Sequence, residues 1–360
     1  MKTKPLIIFV SILSLISAII FFTQDRPFSG KDPREGKKLV DPLILRETTS
    51  LVLHKGDRTV TLQMLDDDAH WIVSEYFDFP INFQNLTRLG SALDKAKIKQ
   101  FTTSNPERLE RLQFGKERIE IFTTEETPAL TLHLGKTVSN RGRFVRFNDE
   151  ERAYLSDLTL FVDIDSKSWA ADSLTNLVSE QIAEFSIEIP EEKHPLLFTR
   201  SNTDAQWEIA SQKNEGETPL EDDINNILKK MMQLRFVETT TLDHPDVIDA
   251  AQQPRTIRLK TFEGHSYTIR IGKTEHPQVE TVKDAEGNIH PVEKPHPVYV
   301  WINSSDPADP INELMTRRAF IISTYLFIAL PTSRDSLIKN IQKGTTDESS
   351  ALGDIFEKPE

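Results

Sequence analysis

Residues 130–137 read LTLHLGKT, and residues 267–274 read YTIRIGKT. In both stretches apolar and polar residues alternate, which predicts a β-strand with one packed and one solvated face. Each stretch ends in Gly-Lys-Thr, and we expect the Gly-Lys pair to form a turn at the end of its strand. Two strands this similar in one chain indicate that a folding unit occurs twice.

Other features recur around these strands in the same order. A tryptophan, a helical spacing of apolar residues and the glycine of the Gly-Lys pair each reappear 136 to 138 positions later; the pairs are Trp71 and Trp207, Leu86 and Ile224, and Gly135 and Gly272. The spacing predicts one amphipathic helix in each copy. We therefore predict an α+β fold of two tandem repeats, at residues 47–182 and 183–340, each an antiparallel sheet packed with helices.

The end of each copy is predicted to be helical. We expect a closing helix at residues 169–178 in the first copy and at residues 311–322 in the second. The uncharged run at residues 319–330 is 12 residues long. It is too short to span a membrane, so we interpret it as a buried helix end followed by a strand.

The amino terminus carries a membrane signal. Residues 5–22 (PLIIFVSILSLISAIIFF) contain no charge and are long enough for a helix to cross the hydrocarbon layer. The alternative is a cleaved signal peptide, but the run lacks a small-residue cleavage site, so we predict an uncleaved transmembrane anchor. We expect residues 1–4 in the cytoplasm and the bulk of the chain in the periplasm. Residues 23–46 have the composition of a linker, and residues 341–360 that of a disordered acidic tail.

Composition excludes several classes of protein. The chain of 360 residues contains no cysteine, which excludes disulfide scaffolds, zinc-thiolate sites and thiol nucleophiles. Its formal net charge of −13 argues against a nucleic-acid partner, because phosphate contacts need a basic surface. Neither Gly-Lys-Thr triplet ends a phosphate-binding loop, since Leu130 and Tyr267 stand where that motif needs its first glycine. We predict no cofactor and no catalytic residue.

The layout resembles the DUF4340 family. The resemblance is carried by HWIV at residues 70–73, QWEI at 206–209, LGK at 134–136 and IGK at 271–273, and it covers about residues 48–330. Members of that family are typically bacterial, membrane-anchored and extracytoplasmic, and are often encoded beside ABC-type transporter components of the gliding-motility kind. The resemblance implies an accessory role in a membrane complex, with no catalytic residues to carry over.

The second copy contains an insertion at residues 274–297 that the first copy lacks. Apolar residues on either side of a Gly-Asn pair predict a hairpin that projects into solvent. His276, His290 and His296 stand among acidic residues, so a metal site is the alternative, although their spacing matches no zinc pattern. Loops held by a rigid scaffold often carry function, so the insertion is the best candidate for partner contact. The candidate partner-binding residues are His276, His290, Tyr299 and Trp301.

Two functions from different classes are compatible with these features. The favoured hypothesis is a non-enzymatic, membrane-anchored extracytoplasmic accessory or scaffold protein, associated with ABC-type permease and ATPase components. The alternative is an extracytoplasmic solute- or glycan-binding module, which would use a cleft between the two copies and exposed aromatic residues such as Tyr299 and Trp301.

Overall fold

The computed structural model describes residues 32–65, 70–190, 192–211, 213–275, 278–283, 289–294 and 296–340. The chain divides into two compact units between Ala171 and Asp172, and not between residues 182 and 183 as the sequence suggested. The expected anchor at residues 5–22 and the expected tail at residues 341–360 lie outside the described residues. Among the residues that are described, no helix has the length and apolar character needed to cross a membrane.

The first unit is a nine-stranded antiparallel sheet with short helices around it. Its strands are β1 (Ser50–Lys55), β2 (Arg58–Met64), β3 (Trp71–Val73), β4 (Phe79–Pro80), β5 (Ile98–Thr103), β6 (Glu117–Phe122), β7 (Leu130–Val138), β8 (Gly142–Phe147) and β9 (Ala153–Ser156). Its helices are α1 (Pro42–Arg46), α2 (Phe83–Lys95), α3 (Pro106–Glu110) and α4 (Ser166–Trp169). The strand order is β4-β3-β2-β1-β6-β7-β8-β9-β5.

The second unit contains an eight-stranded antiparallel sheet and two small two-stranded sheets. Its strands are β10 (Ile182–Ile187), β11 (Leu196–Thr199), β12 (Glu208–Ile209), β13 (Glu217–Pro219), β14 (Phe236–Thr240), β15 (Arg255–Thr261), β16 (Ser266–Lys273), β17 (Gln278–Lys283), β18 (Ile289–Lys294), β19 (Val298–Ser304), β20 (Ala319–Ile322) and β21 (Ile338–Asn340). Its helices are α5 (Glu221–Met232), α6 (Pro245–Ala250), α7 (Pro310–Arg317) and α8 (Thr324–Ile328), with 3-10 turns at Ser179–Gln181 and Arg334–Ser336.

The two large sheets repeat the same topology. The second runs β12-β11-β10-β15-β16-β19-β20-β14, which is the order of the first sheet without its edge strand β4 once each strand is matched by its position in the unit. The long helices α2 and α5 occupy equivalent places before β5 and β14, and each buries an apolar stripe, with Leu89 and Leu93 in the first and Ile224 and Met231 in the second. The mixed α and β character, the antiparallel sheets and the duplication agree with the sequence.

Each unit begins with a short extended segment, which the sequence predicted as part of a linker in the first unit and as part of a closing helix in the second. Lys38 bridges to Lys97 just before β5, and Ser173 bridges in the same way to Arg235 just before β14. The amide of Leu39 donates to the Ala96 carbonyl (2.7 Å). The prediction of a linker at residues 23–46 is therefore wrong from Asp32 onward. Leu39 and Val40 are buried, and that burial holds the segment on its unit.

Arg34 adds an ionic attachment for the same segment. Its guanidinium makes two hydrogen bonds to the Glu150 carboxylate, at 2.8 and 2.7 Å. It also lies over the rings of Phe147 (5.1 Å) and Tyr154 (5.6 Å). The Glu150 carboxylate raises the pKa of Arg34, so the pair stays charged.

The units also end in equivalent ways, which corrects the predicted closing helices. The amide of Asn82, at the start of α2, donates to the Trp169 carbonyl, and the amide of Leu220, at the start of α5, donates to the Leu337 carbonyl. A closing helix at residues 169–178 is wrong, because the helical turn ends at Trp169 and the chain then begins the next unit. A single helix at residues 311–322 is also wrong. There α7 ends at Arg317 and the apolar residues that follow pair as strand β20, ahead of α8.

The Gly-Lys pairs lie inside strands and do not form turns. In β16, Gly272 and Lys273 pair with Tyr299 and Val298 of β19. A Cβ atom on Gly272 would collide with the Ala250 carbonyl at the end of α6, and one on Gly135 would come within 2.7 Å of the Leu112 carbonyl. The repeated glycine therefore lets a short helix approach the sheet closely. The expected turn at this position was wrong.

Candidate partner-binding hairpin

The insertion in the second unit forms the predicted hairpin. Strands β17 and β18 pair with each other in a two-stranded sheet, separate from the large one. Val282 lies opposite His290 and Lys283 lies opposite Ile289, so each face of the hairpin presents one apolar side chain beside one basic one. Val282 is 43% exposed and Ile289 61% exposed. A projecting hairpin with apolar side chains on both faces is suited to contact with another macromolecule.

The base of the hairpin is held by hydrogen bonds. Thr274 is buried, and its amide donates to the Pro297 carbonyl (3.3 Å). Nδ1 of His296 lies 2.8 Å from the Thr274 carbonyl, to which it donates. The amide of Glu275 donates to the Asp249 carboxylate (2.8 Å), which joins the hairpin base to α6. These contacts give His296 a positioning role at the point where the hairpin leaves the sheet.

The structure describes two of the three histidines considered as metal ligands, and they lie in different environments. His290 is exposed on the hairpin, and His296 is half-buried at its base. His276 lies outside the described residues. Within the part of the chain that the structure describes, no three histidine or acidic side chains are grouped so as to hold a metal ion.

Tyr299 is not the exposed aromatic that the sequence suggested. It is only 1% exposed and packs with Val247, Ala250 and Ala319. Burial, together with a smaller contribution from the Asp246 carboxylate, raises the pKa of Tyr299 to about 12. The expectation of exposure was wrong because α6 covers this face of the sheet.

Trp301 lies at the margin of the same apolar cluster. It is partly buried, with its ring 6.4 Å from that of Tyr299 and the guanidinium of Arg270 5.7 Å from its own ring centre. Trp301 therefore keeps some accessible surface near the hairpin base. Of the four candidate partner-binding residues, the structure places His290 and Trp301 on the surface, buries Tyr299, and leaves His276 undescribed.

The first unit has an equivalent cluster and a cavity in place of the hairpin. Leu112, Phe114 and Ala153 form the cluster under α3, with Phe144 where the second unit has Tyr299. A short turn joins β7 to β8, beside an open cavity of about 540 Å³ whose lining includes Lys99, Arg141, Arg143, Asp157 and Phe161. The one sequence signal for both clusters is the glycine before the lysine, which packs closely against Leu112 in the first unit and Ala250 in the second.

Arg143 at this cavity is buried and fully engaged. Its guanidinium donates to the carbonyls of Gly135 (2.9 Å) and Leu160 (3.1 Å) and to the Glu117 carboxylate (2.8 Å). Lys55 also binds Glu117 (3.0 Å) and lies 4.3 Å from the Phe161 ring centre. These contacts hold the chain after β9 against the sheet, so Arg143 has a structural role.

The comparisons with known proteins give one match. A family model described as "Domain of unknown function (DUF4340)" matches residues 71–262, which is more than half of the chain. No curated protein and no solved structure matches the chain. The matched region begins at β3 and ends before the hairpin, so it spans parts of both units.

Proposed function

The chain belongs to the DUF4340 family, and from that membership we propose that it is a non-enzymatic, membrane-anchored accessory protein that binds a protein partner through the hairpin of its second unit. One observation carries the proposal. The hairpin forms its own sheet and exposes apolar side chains on both faces, and in the described part of the first unit residues 139–141 join the equivalent strands without a hairpin. A duplicated scaffold with a projection on one copy is the expected form of a recognition module.

We expect this protein to be located at the cytoplasmic membrane. We propose that residues 5–22 anchor the chain and that both units lie on the extracytoplasmic side. An anchor confines the hairpin to the membrane surface at which a membrane-bound partner lies. It thereby raises the effective concentration of the hairpin near that partner. The family resemblance favours an ABC-type permease and its ATPase as the complex served.

The hairpin surface has the mixed character of a transient interface. Val282 and Ile289 supply apolar contact, and the neighbouring His290 and Lys283 supply polar contact at its rim. Trp301, near the base, adds partly accessible aromatic surface. We expect the apolar pair to contribute most of the affinity, because rim charges are screened by salt.

The experiment exploits the duplication of the fold. Residues 278–294 are replaced by Ser-Asn-Arg, the sequence of residues 139–141 that joins the equivalent strands of the first unit. Intact cells are crosslinked, the tagged full chain is purified from solubilised membranes, and the proteins that accompany it are identified. We expect a permease and an ATPase with the natural chain, and at least a tenfold loss with the replacement, on the scale of a lost interface core.

Point variants distinguish specific binding by the hairpin surface from nonspecific hydrophobic association. The double variant Val282→Asp and Ile289→Asp should lose the partners as the replacement does. Phe83→Asp, at a position 58% exposed in the first unit, should keep them. Recovery of the natural chain alone, or equal recovery with all variants, would overturn the proposal.

A further inference from the structure

A row of four basic side chains crosses the outer face of the first sheet. His54 of β1 pairs with Arg118 of β6, Arg118 pairs with His133 of β7, and His133 pairs with Arg146 of β8. Residues paired across strands point to the same face, and this is the face opposite the buried Leu53 and Ile119. With neighbouring strands about 4.8 Å apart, the row is about 14 Å long.

The row is not a property of the fold itself. The second unit has the same register, and the equivalent positions hold Glu188, Thr256, Arg270 and Trp301. There the only basic residue of the four is Arg270, which lies between Thr256 and Trp301, and Glu188 pairs with Arg258 (3.1 Å). The sheet therefore folds without a basic row, and the row of four basic side chains is particular to the first copy.

One half of the row is neutralised and the other half is not. The Glu120 carboxylate binds Arg118 (2.7 Å) and His54 (3.1 Å). Among the residues that the structure describes, no carboxylate lies within ion-pair distance of His133 or Arg146, and Nε of Arg146 is buried without a hydrogen-bond partner. Two basic side chains directly opposite each other on a sheet repel when both are charged, which disfavours a protonated His133 beside Arg146. An anion placed between His133 and Arg146 would remove that repulsion.

We propose that the basic row of the first unit binds a soluble ligand that carries two or more phosphate groups. A straight row of cations matches consecutive phosphate groups, and each phosphate offers several acceptor oxygens to neighbouring side chains. Arg146 and His133 hold one phosphate, and the Nη groups of Arg118, whose Nε binds Glu120, hold the next. The protein as a whole has a net charge of −13, so the attraction is local to this face.

The proposal carries a pH dependence. Burial lowers the pKa of His133, and the neighbouring charges of Arg146 and Arg118 lower it further, while Asp149 and a backbone hydrogen bond to Asn148 act in the opposite direction. A bound phosphate favours the protonated imidazole, so the affinity should increase as the pH falls toward the range in which the imidazole takes up a proton. His54, the other histidine of the row, faces Glu120, which is already charged.

The test uses tripolyphosphate and the full chain in detergent at low salt. Calorimetry should show binding to the natural chain, an affinity that rises from pH 8 to pH 6, and at least a tenfold loss in the double variant His133→Gln and Arg146→Gln. Arg270→Gln, at the position in the second unit equivalent to His133, is the control and should change the affinity less than twofold. The NMR titration of His133 should show a higher pKa with ligand bound.

Several outcomes would overturn the proposal. These are no binding at millimolar tripolyphosphate, an equal loss in the Arg270→Gln control, or binding only to vesicles that contain anionic lipid, which would assign the row to a membrane surface. If the double variant does not fold, the natural chain still decides. Its melting temperature should rise with tripolyphosphate, but not with sodium chloride of equal ionic strength.

Discussion

The packing of the second unit requires a residue without a side chain at Gly272. The space where a Cβ atom would stand is filled by the Ala250 carbonyl at the end of α6. Gly272→Ala should therefore destabilise the second unit by about 1–3 kcal/mol, because a helix end or a strand must move. Chemical denaturation measures the difference.

Gly90 provides the matched control. It lies inside α2 with nothing within 4 Å of the position of a Cβ atom. Gly90→Ala should stabilise the first unit by about 0.4–1 kcal/mol, since alanine has less conformational freedom to lose. Equal effects of the two substitutions would show that the close approach at Gly272 does not matter for stability.

Glu217 makes stability depend on pH at acid values. Hydrogen bonds from Arg334 (2.7 and 3.0 Å), together with bonds from the amide and side chain of Asn214, outweigh the effect of burial and lower the pKa of Glu217 to about 2. A carboxyl with a depressed pKa in the folded state contributes its full stability above its unfolded value, near 4.5. That contribution is lost as the pH falls from about 4.5 toward 2.

We expect Glu217→Gln to remove this part of the pH dependence. The free energy of unfolding of the natural chain minus that of the variant should be largest above pH 5 and shrink toward pH 2. Glu184→Gln, which breaks an exposed pair with Lys260 (2.7 Å), is the comparison and should change stability by less than about 1 kcal/mol. A difference that does not vary with pH would contradict the assigned role of Glu217.

At the scale of elements, we expect the extended segments ahead of the two long helices to contribute most to stability. Leu39 is 3% exposed beside the start of β5, whereas Leu43, four residues later in α1, is 49% exposed. Leu39→Ala should cost about 2–4 kcal/mol of stability, and Leu43→Ala less than about 0.5 kcal/mol. Thermal unfolding of the two variants tests this difference in stability. Similar melting temperatures would mean that this segment is not part of the first unit.

The long helices and the central strands could be predicted because their apolar residues repeat with a clear period. The segment at residues 32–40 could not, because Leu39 and Val40 are too few to show a period and stand among prolines, glycines and charges. The burial of Tyr299 was also hidden. Alternation along β19 separates its two faces, but it does not reveal that α6 covers the second one.

The hairpin was predictable from turn chemistry alone. The basic row was not, because His54, Arg118, His133 and Arg146 lie far apart in the chain and meet only through the strand register. Polar residues at alternating positions look the same on any solvated strand. Alignment of the two copies would have shown that three of the four positions lose their basic residue in the second copy, once the register was known.

At the scale of the whole molecule, the two units have kept one topology and diverged on their surfaces. The second gained the hairpin between β16 and β19 and the helix α7 between β19 and β20, where the first unit has short turns. The first unit alone carries the basic row. Duplication therefore separates the two proposed binding surfaces onto different halves of the chain, and each half serves as the control for the other.

The attachment of residues 36–39 has a mechanical consequence. The bonds from the Gly36 amide to the Ile98 carbonyl (2.7 Å), from the Ile98 amide to the Lys37 carbonyl (2.9 Å) and from the Leu39 amide to the Ala96 carbonyl (2.7 Å) lie side by side along the start of β5. If residues 5–22 anchor the chain as proposed, tension from the anchor would load these bonds together, so that they share the force in shear. Nine residues, 23–31, separate the proposed anchor from Asp32, and a chain of nine residues spans at most about 30 Å. Under that proposal, a displacement of the anchor beyond that length would be transmitted directly to the first sheet.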